Sequence, residues 1–317
     1  MMNEAQHLTD PDADPMASAD DIVAAFQIDG EPVRGRIARM GPATVDEVLQ
    51  RHQYHPAIAK ILGELLTLAA LVGASLKFDG KLIVQVQGMP GIEGALRFVV
   101  AEYRTNGSLR GYASVDKAAL TDLLARNSDP SMHDLIGHGL FAMTIDQGKD
   151  MDRYQGTVPL EGDTIAEAAA LYFAQSEQIP TRLRLACTKI TDLKGRVQWR
   201  AGGALIQQIA GDSARGDTAL AWDNATILFE TLQDRELVNA ELSAGDLLYN
   251  LFHEDGVRLF EAKPIETACT CSQSRITALL KQFGAEAAAD MIESDGLIRV
   301  RCEYCNVSYD VRPDELG

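Results

Sequence analysis

The sequence predicts an α+β protein with a large N-terminal sheet-and-helix domain, a helical linker and a small C-terminal module around four cysteines. Three observations carry this reading. Between residues 22 and 209, short runs with the two-residue alternation of half-covered strands surround one long apolar helix. A glycine- and aspartate-rich break at Gly211–Asp217 is followed by segments with helical apolar spacing. Four of the five cysteines crowd into the last fifty residues, as Cys269-Thr270-Cys271 and Cys302-Glu303-Tyr304-Cys305.

The runs Ile22–Ile28 and Val33–Met40, separated by Asp29-Gly30, read as a β-hairpin. Thr44 is placed to cap the helix that follows, with Glu47 completing a capping box. The next helix starts at Pro56 and runs through Ile61, Leu65, Leu68 and Leu71 toward Leu76. Lys60 and Glu64 interrupt it and the uncharged stretch is too short to span a bilayer, so a buried core helix is expected. After a turn at Phe78-Asp79-Gly80 come strands at Lys81–Gln87, Gly94–Tyr103 and Gly107–Val115, then a short helix at Ala118–Ala125 and a loop. His133 and His138 lack a neighbouring cysteine or carboxylate cluster and read as solvated loop residues. Further strands fall at Leu140–Ile145 and Tyr154–Val158, and a helix to Gln175 begins behind Asp163, read as its N-cap. A hairpin of Thr181–Ile190 and Val197–Ile209 closes the domain, with Gly202-Gly203 marking a bulge or close packing and Cys187 a buried thiol. Linker helices are expected at Thr218–Leu232 and Ala244–Phe252. In the last module Ser272 caps a helix ended by Gly284, a second helix runs from Ala285 to Glu293, and Asp295-Gly296 turns into a strand at Leu297–Arg301.

At 317 residues and 46% hydrophobic content the chain can bury a substantial core. A net charge of −17 is a poor electrostatic footprint for nucleic acid or an anionic membrane, and neither is an expected partner. Residues 1–19, with four carboxylates, two prolines and no arginine, read as a disordered acidic tail and as neither a secretory signal nor a mitochondrial presequence. The expected location is therefore the cytoplasm, where clustered cysteines bind metal or sense redox state more often than they form a disulfide framework.

Two close cysteine pairs separated by a helix-sized insert bring four sulfurs to one point. The expected ligand set is Cys269, Cys271, Cys302 and Cys305 around one Zn2+, with no histidine in the segment to replace a sulfur. Cys-x-Cys can also close into a small, strained disulfide, and Cys-x-x-Cys pairs often have lowered thiol pKa. Spacing alone leaves two readings open, a static structural clamp and a thiol switch, and the clamp is the commoner use of such a site.

The cysteine pattern resembles that of the redox-regulated molecular chaperones of the thirty-three-kilodalton heat-shock family. Leu76-Lys77-Phe78-Asp79-Gly80, Tyr154-Gln155-Gly156, Leu160-Glu161-Gly162-Asp163-Thr164, Ser176-Glu177-Gln178-Ile179-Pro180-Thr181-Arg182-Leu183, Ala201-Gly202-Gly203 and His253-Glu254 extend the likeness from about Asp20 to the end. The resemblance implies a client-binding and dimerisation domain at 20–210, a metastable linker at 211–265 and a zinc-binding redox switch at 266–317. It implies that the reduced zinc form is inactive. Oxidation would pair Cys269 with Cys271 and Cys302 with Cys305, release the metal and expose apolar surface that holds unfolding client proteins. The oxidised form would be a homodimer that hands clients to ATP-dependent chaperones. The chain has no Gly-x-x-x-x-Gly-Lys-Ser/Thr segment, in keeping with a holdase that is not an enzyme. Two other readings stand beside it: a thiol–disulfide oxidoreductase using Cys302 and Cys305, for which a βαβ setting is lacking, and a constitutive zinc-ribbon adaptor, which the acidic charge disfavours.

Overall fold

The computed structural model of the chain describes residues 6–7, 20–77, 79–89, 94–148, 151–191, 195–209 and 218–316. They divide into two compact units, Met1–Thr267 and Ala268–Gly317.

The first unit contains two sheets. One runs in the order β1 (Gln6–His7), β11 (Val257–Leu259), β2 (Ile22–Ile28), β3 (Val33–Met40), β10 (Val197–Gln208), β9 (Thr181–Thr191), and β12 (Lys263–Pro264) also pairs with β2. The other runs β13 (Glu266–Thr267), β6 (Ser108–Val115), β5 (Leu96–Arg104), β4 (Lys81–Gly88), β7 (Gly139–Asp146), β8 (Tyr154–Pro159). β13 joins β6 in parallel, whereas the two long hairpins, β2–β3 and β9–β10, are antiparallel. The predicted strands all form. The segment Val257–Thr267, which the sequence reading divided between the end of a helical linker (to 265) and the start of the cysteine module (from 266), instead supplies three short strands of the first unit.

The apolar helix α2 (Pro56–Gly73), preceded by α1 (Glu47–His52), is sandwiched between the sheets. It packs on β3, β9 and β10 on one side and on β4, β5 and β6 on the other. Fourteen of its eighteen residues are buried, so its length and apolarity serve the core of this unit. Close approach to the first sheet depends on Gly63, where a Cβ would lie 2.2 Å from Cys187 Sγ. The thiol of Cys187 is buried, as expected.

Alternation along the strands of the first sheet splits their side chains between two cores. Val23, Ala38, Met40, Leu185, Ala201 and Leu205 face α2. Ile22, Ala24, Phe26, Ile28, Val33, Ile37, Ala204 and Ile206 face the other way. That second face is covered by the linker, which forms α6 (Thr218–Glu230), α7 (Asp234–Leu237) and α8 (Ala244–Phe252) and contributes Phe229, Leu232, Leu237, Leu247, Leu248 and Phe252. The Gly202-Gly203 pair marks close packing on both faces and no bulge, for the β10 register runs unbroken through it. A Cβ at Gly202 would meet the Leu237 carbonyl oxygen at 2.2 Å, and one at Gly203 would meet Leu185 and Thr67 side chains at 2.7 and 2.8 Å.

Several local expectations need correction. Thr44 does not cap a helix. It lies in a single π-helical turn, Pro42–Asp46, whose free N–H groups at Gly41 and Ala43 donate to the Asp21 carboxylate at 2.8 and 3.1 Å. A carboxylate from the neighbouring strand thus does what the local sequence was expected to do. α5 (Ile165–Tyr172) is capped by Thr164 in a capping box with Glu167, one residue beyond Asp163. The helix expected at Ala118–Ala125 is α3 (Lys117–Arg126), and the loop after it contains a further short helix, α4 (Met132–Ile136), with its own Ser131–Asp134 capping box. His133 and His138 are exposed, with ring centroids 5.9 Å apart. The tail expected to be disordered lies outside the described residues apart from Gln6–His7, which pair with Leu259 and Arg258. The break at Gly211–Asp217 and Phe78 of the first turn also lie outside them.

The second unit consists of α9 (Gln273–Ala289) and the antiparallel pair β14 (Ile298–Arg301) and β15 (Ser308–Val311). One helix continues through Gly284 where two were expected. A glycine lowers helix stability by roughly 1 kcal/mol, which the alanine-rich run that follows can absorb.

Two predictions follow from this packing. Gly63→Ala should lower stability in urea unfolding by about 1–3 kcal/mol, and adding Cys187→Ala should recover part of the loss, since that sulfur is the nearest obstacle. Glu64, buried on α2, is held up to about 7 by burial, opposed by Lys60 and reinforced by Asp234. A carboxyl raised in the folded state contributes stability that is present below its unfolded pKa of about 4.5 and lost as the pH rises through about 7. Glu64→Gln should therefore leave stability unchanged below the unfolded pKa and raise it by up to about 3 kcal/mol on the alkaline side of neutrality, read from chemical unfolding across pH.

Candidate metal centre

The second unit has little apolar substance. Its buried cluster is Leu280, Ile298 and Val311, with Ile276, Val300 and Leu316 packed against it. A helix on a two-stranded ribbon with so small a core falls short of independent stability.

The four cysteines meet beside this core. Cys302 follows β14, and its N–H donates to the Val307 carbonyl at 2.9 Å while its own carbonyl accepts from Asn306 N–H at 2.8 Å. Asn306 adopts a φ of 62°, closing a tight knuckle that leads into β15 and places Cys305. Cys269 and Cys271 precede α9, whose first turn is capped by Ser272 as expected, through a 3.3 Å bond from Arg275 N–H. The Arg275 guanidinium donates to the Thr270 carbonyl at 2.6 Å, and Gln273 Nε2 donates to the Asp310 carbonyl of β15 at 2.8 Å. The Cys-x-Cys loop is thus pinned from both sides.

All four sulfurs lie within 4.8 Å of one another. Cys269 and Cys302 are 3.7 Å apart and Cys271 and Cys305 3.2 Å apart. A tetrahedral metal with sulfur at ~2.3 Å requires neighbouring sulfurs roughly 3.7 Å apart, so this cluster is of the right size for one ion. Tyr309 Oη lies 3.0 Å from Cys271 Sγ.

The electrostatics point the same way. At Cys269 burial pushes the thiol up, but the Cys271 backbone N–H and the adjacent thiols outweigh it and bring the group down to about 7. Burial pushes Cys271 up against the pull of its Tyr309 hydrogen bond. Cys305 is pushed up further, first by burial and then by its thiol neighbours. One thiolate forms readily, and its charge opposes the next in so small a space. A divalent cation removes that opposition, and an all-sulfur tetrahedral set suits zinc or iron. The residues present fit such an ion.

Each cysteine expected in the ligand set is therefore found in this cluster, and Cys187 is not. Its thiol is raised well above the ordinary value, first by burial and then by Glu64. Among the described residues no other group of three or more histidine, cysteine, aspartate or glutamate side chains converges in this way. Sequence reasoning missed Tyr309, Arg275 and Gln273. The available signal was their position, since the strand after a Cys-x-x-Cys knuckle and the first turn of the helix after Cys-x-Cys must both pass the metal site.

Comparison with known proteins agrees with the fold. The family model described as Hsp33 protein matches residues 21–312. A 33 kDa chaperonin of Caulobacter vibrioides is 51% identical over 294 residues, covering 93% of this chain and 95% of the relative. The 33 kDa chaperonin of Serratia proteamaculans is 36% identical over 277 residues, covering 87% of each chain. The crystal structure of the 33 kDa chaperonin of Thermotoga maritima, a heat shock protein 33 homolog, superposes with a TM-score of 0.73 at 26% identity, covering 93% of this chain and 96% of that one. With an α+β fold, a four-cysteine cluster near its C-terminus and a family match along nearly its whole length, this chain belongs to the Hsp33 family of chaperones.

Proposed function

We propose that the protein is an ATP-independent holdase switched on by oxidation of Cys269, Cys271, Cys302 and Cys305 and held off by zinc bound to the same sulfurs. The observation that carries this reading is the clustering of those sulfurs in a unit whose buried apolar cluster, among the described residues, is Leu280, Ile298 and Val311. When bound, zinc would offset part of the charge of the four thiolates and supply stability on the order of 10–16 kcal/mol, as measured for small structural sites.

Oxidation of Cys269 with Cys271, and of Cys302 with Cys305, forms two S–S bonds. Each pair of thiolates gives up two electrons to a peroxide, which takes two protons from solvent and is reduced to water, or to an alcohol and water. The thiolate charges that hold a cation are then gone, and the unit is left with its small core. Ala268 alone separates Cys269 from β13, so disorder beginning at the cysteines starts next to the strands that close the first unit. Loosening there frees the linker helices and uncovers the apolar face of the first sheet. That face captures unfolding proteins and, being apolar, favours pairing of two oxidised copies. Restored thiols would reverse the sequence and pass clients to ATP-dependent chaperones in the cytoplasm.

With peroxide, one zinc per chain is expected to appear in a chromogenic chelator assay as the protein gains the ability to suppress light scattering by a thermally unfolding client. Equal protection by reduced and oxidised protein, or oxidation with the metal retained, would overturn the proposal. Replacing all four cysteines with serine should abolish the response to oxidant. Stripping metal from the reduced protein with a strong chelator should remove hydrogen-exchange protection from the amides of α9 and β14 while those of β4 and β5 stay protected.

A further inference from the structure

The face of the first sheet beneath the linker is basic as well as apolar. Side chains on the same face as Ile37, Ala204 and Ala186 include Arg39 on β3, Arg200 on β10 and Arg182 and Arg184 on β9. Asp20, just ahead of β2, is the carboxylate among them. It takes a bidentate pair of hydrogen bonds from Arg200, one of 2.6 Å, and lies 3.8 Å from Arg39. Arg39 and Arg200 are each 2% exposed, and Arg39 Nη1 and Arg200 Nε are buried without a hydrogen-bond partner among the described residues. Burial, opposed by Asp20 and reinforced by Arg200, holds Arg39 down to about 10. In a chain of net charge −17 this face carries more positive charge than its own residues neutralise.

The linker supplies what is missing. Thr218–Phe252 contains six carboxylates and one arginine. Asp234 pairs with Arg184 at 2.7 Å, Glu230 lies 3.8 Å from Arg182, and the Asn239 carbonyl accepts from Arg39. Arg182 also lies over the Trp222 ring, 5.8 Å from its centroid. An acidic amphipathic segment therefore covers a basic apolar face, its apolar side chains on the sheet and two of its six carboxylates, Glu230 and Asp234, on Arg182 and Arg184. Exposed ion pairs of this kind contribute little stability individually, but a row of like charges biases which partner is captured and how fast.

We propose that the face covered by the linker captures amphipathic segments of unfolding proteins bearing acidic side chains in preference to basic ones. The inference rests on the reading that oxidation releases the linker from this face, and it names the chemical class of segment that takes its place.

The test uses two fluorescent peptides and the full-length oxidised chain. One peptide copies Thr218–Phe252, and the other has its six carboxylate residues replaced by lysine with every apolar residue kept. Fluorescence anisotropy should show the acidic peptide binding about tenfold more tightly, with the gap closing as salt screens the charges. The pair Arg182→Glu and Arg184→Glu should reverse or abolish the preference while leaving the apolar contacts in place. Equal affinities, or tighter binding of the lysine peptide, would overturn the inference. If oxidised protein binds both peptides equally and reduced protein binds neither, only the charge preference is lost. If oxidised protein binds neither peptide, the linker-release reading falls with it.

Discussion

The first sheet is apolar on both faces, and this constraint shapes the rest of the molecule. Apolar area in water is unfavourable by roughly 25 cal/mol per Å², and one buried valine, isoleucine or phenylalanine side chain is worth about 1.5–3 kcal/mol, so Ile22, Phe26, Ile28, Val33, Ile37 and Ile206 demand a cover. The two covers differ in kind. α2 is trapped between two sheets and cannot leave without dismantling both. The linker lies on the outside, and α6 still shows Leu220 and Ile227 to solvent at 59% and 65% exposure. One cover of this sheet is thus held from two sides and the other from one.

The second unit meets the opposite difficulty. It has too little apolar area to organise itself, and its polar network, with Arg299 held by Asp295 and Asp310, is largely exposed. Exposed ion pairs stabilise little. What remains is the sulfur cluster, in which the thiols resist ionising together until a cation draws them in. An ion held there would couple folding to ligation, whereas the two cores of the first unit are built from apolar side chains.

Much of this was legible in the sequence because the relevant signals are local. The hairpin at Asp29-Gly30, the apolar run of α2, the buried Cys187 and the two cysteine pairs each follow from a period or a spacing. The departures came where a distant residue did the local work. Asp21 took over the capping assigned to Thr44, and nothing within a few residues of Thr44 announces a carboxylate arriving from the previous strand. The Thr164–Glu167 capping box, by contrast, was readable and was passed over for Asp163. The strands at Val257–Thr267 are two or three residues long and pair with partners far away in the chain, so no periodicity marks them. The role of Gly202-Gly203 was half visible. A thin point was evident, but that helices press on it from both sides needs the linker seen in place.

Those three short strands have a mechanical consequence. Within eleven residues, Val257–Thr267 is stitched first to β2 through β11 and β12, then to β6 through β13, crossing from one sheet to the other. The segment works like a seam between two panels of cloth. Its last stitch is a two-residue parallel pairing, the shortest in that sheet, and it is sewn closest to the cysteines. Opening that began at Thr267 would meet this two-residue pairing before any of the longer pairings in that sheet.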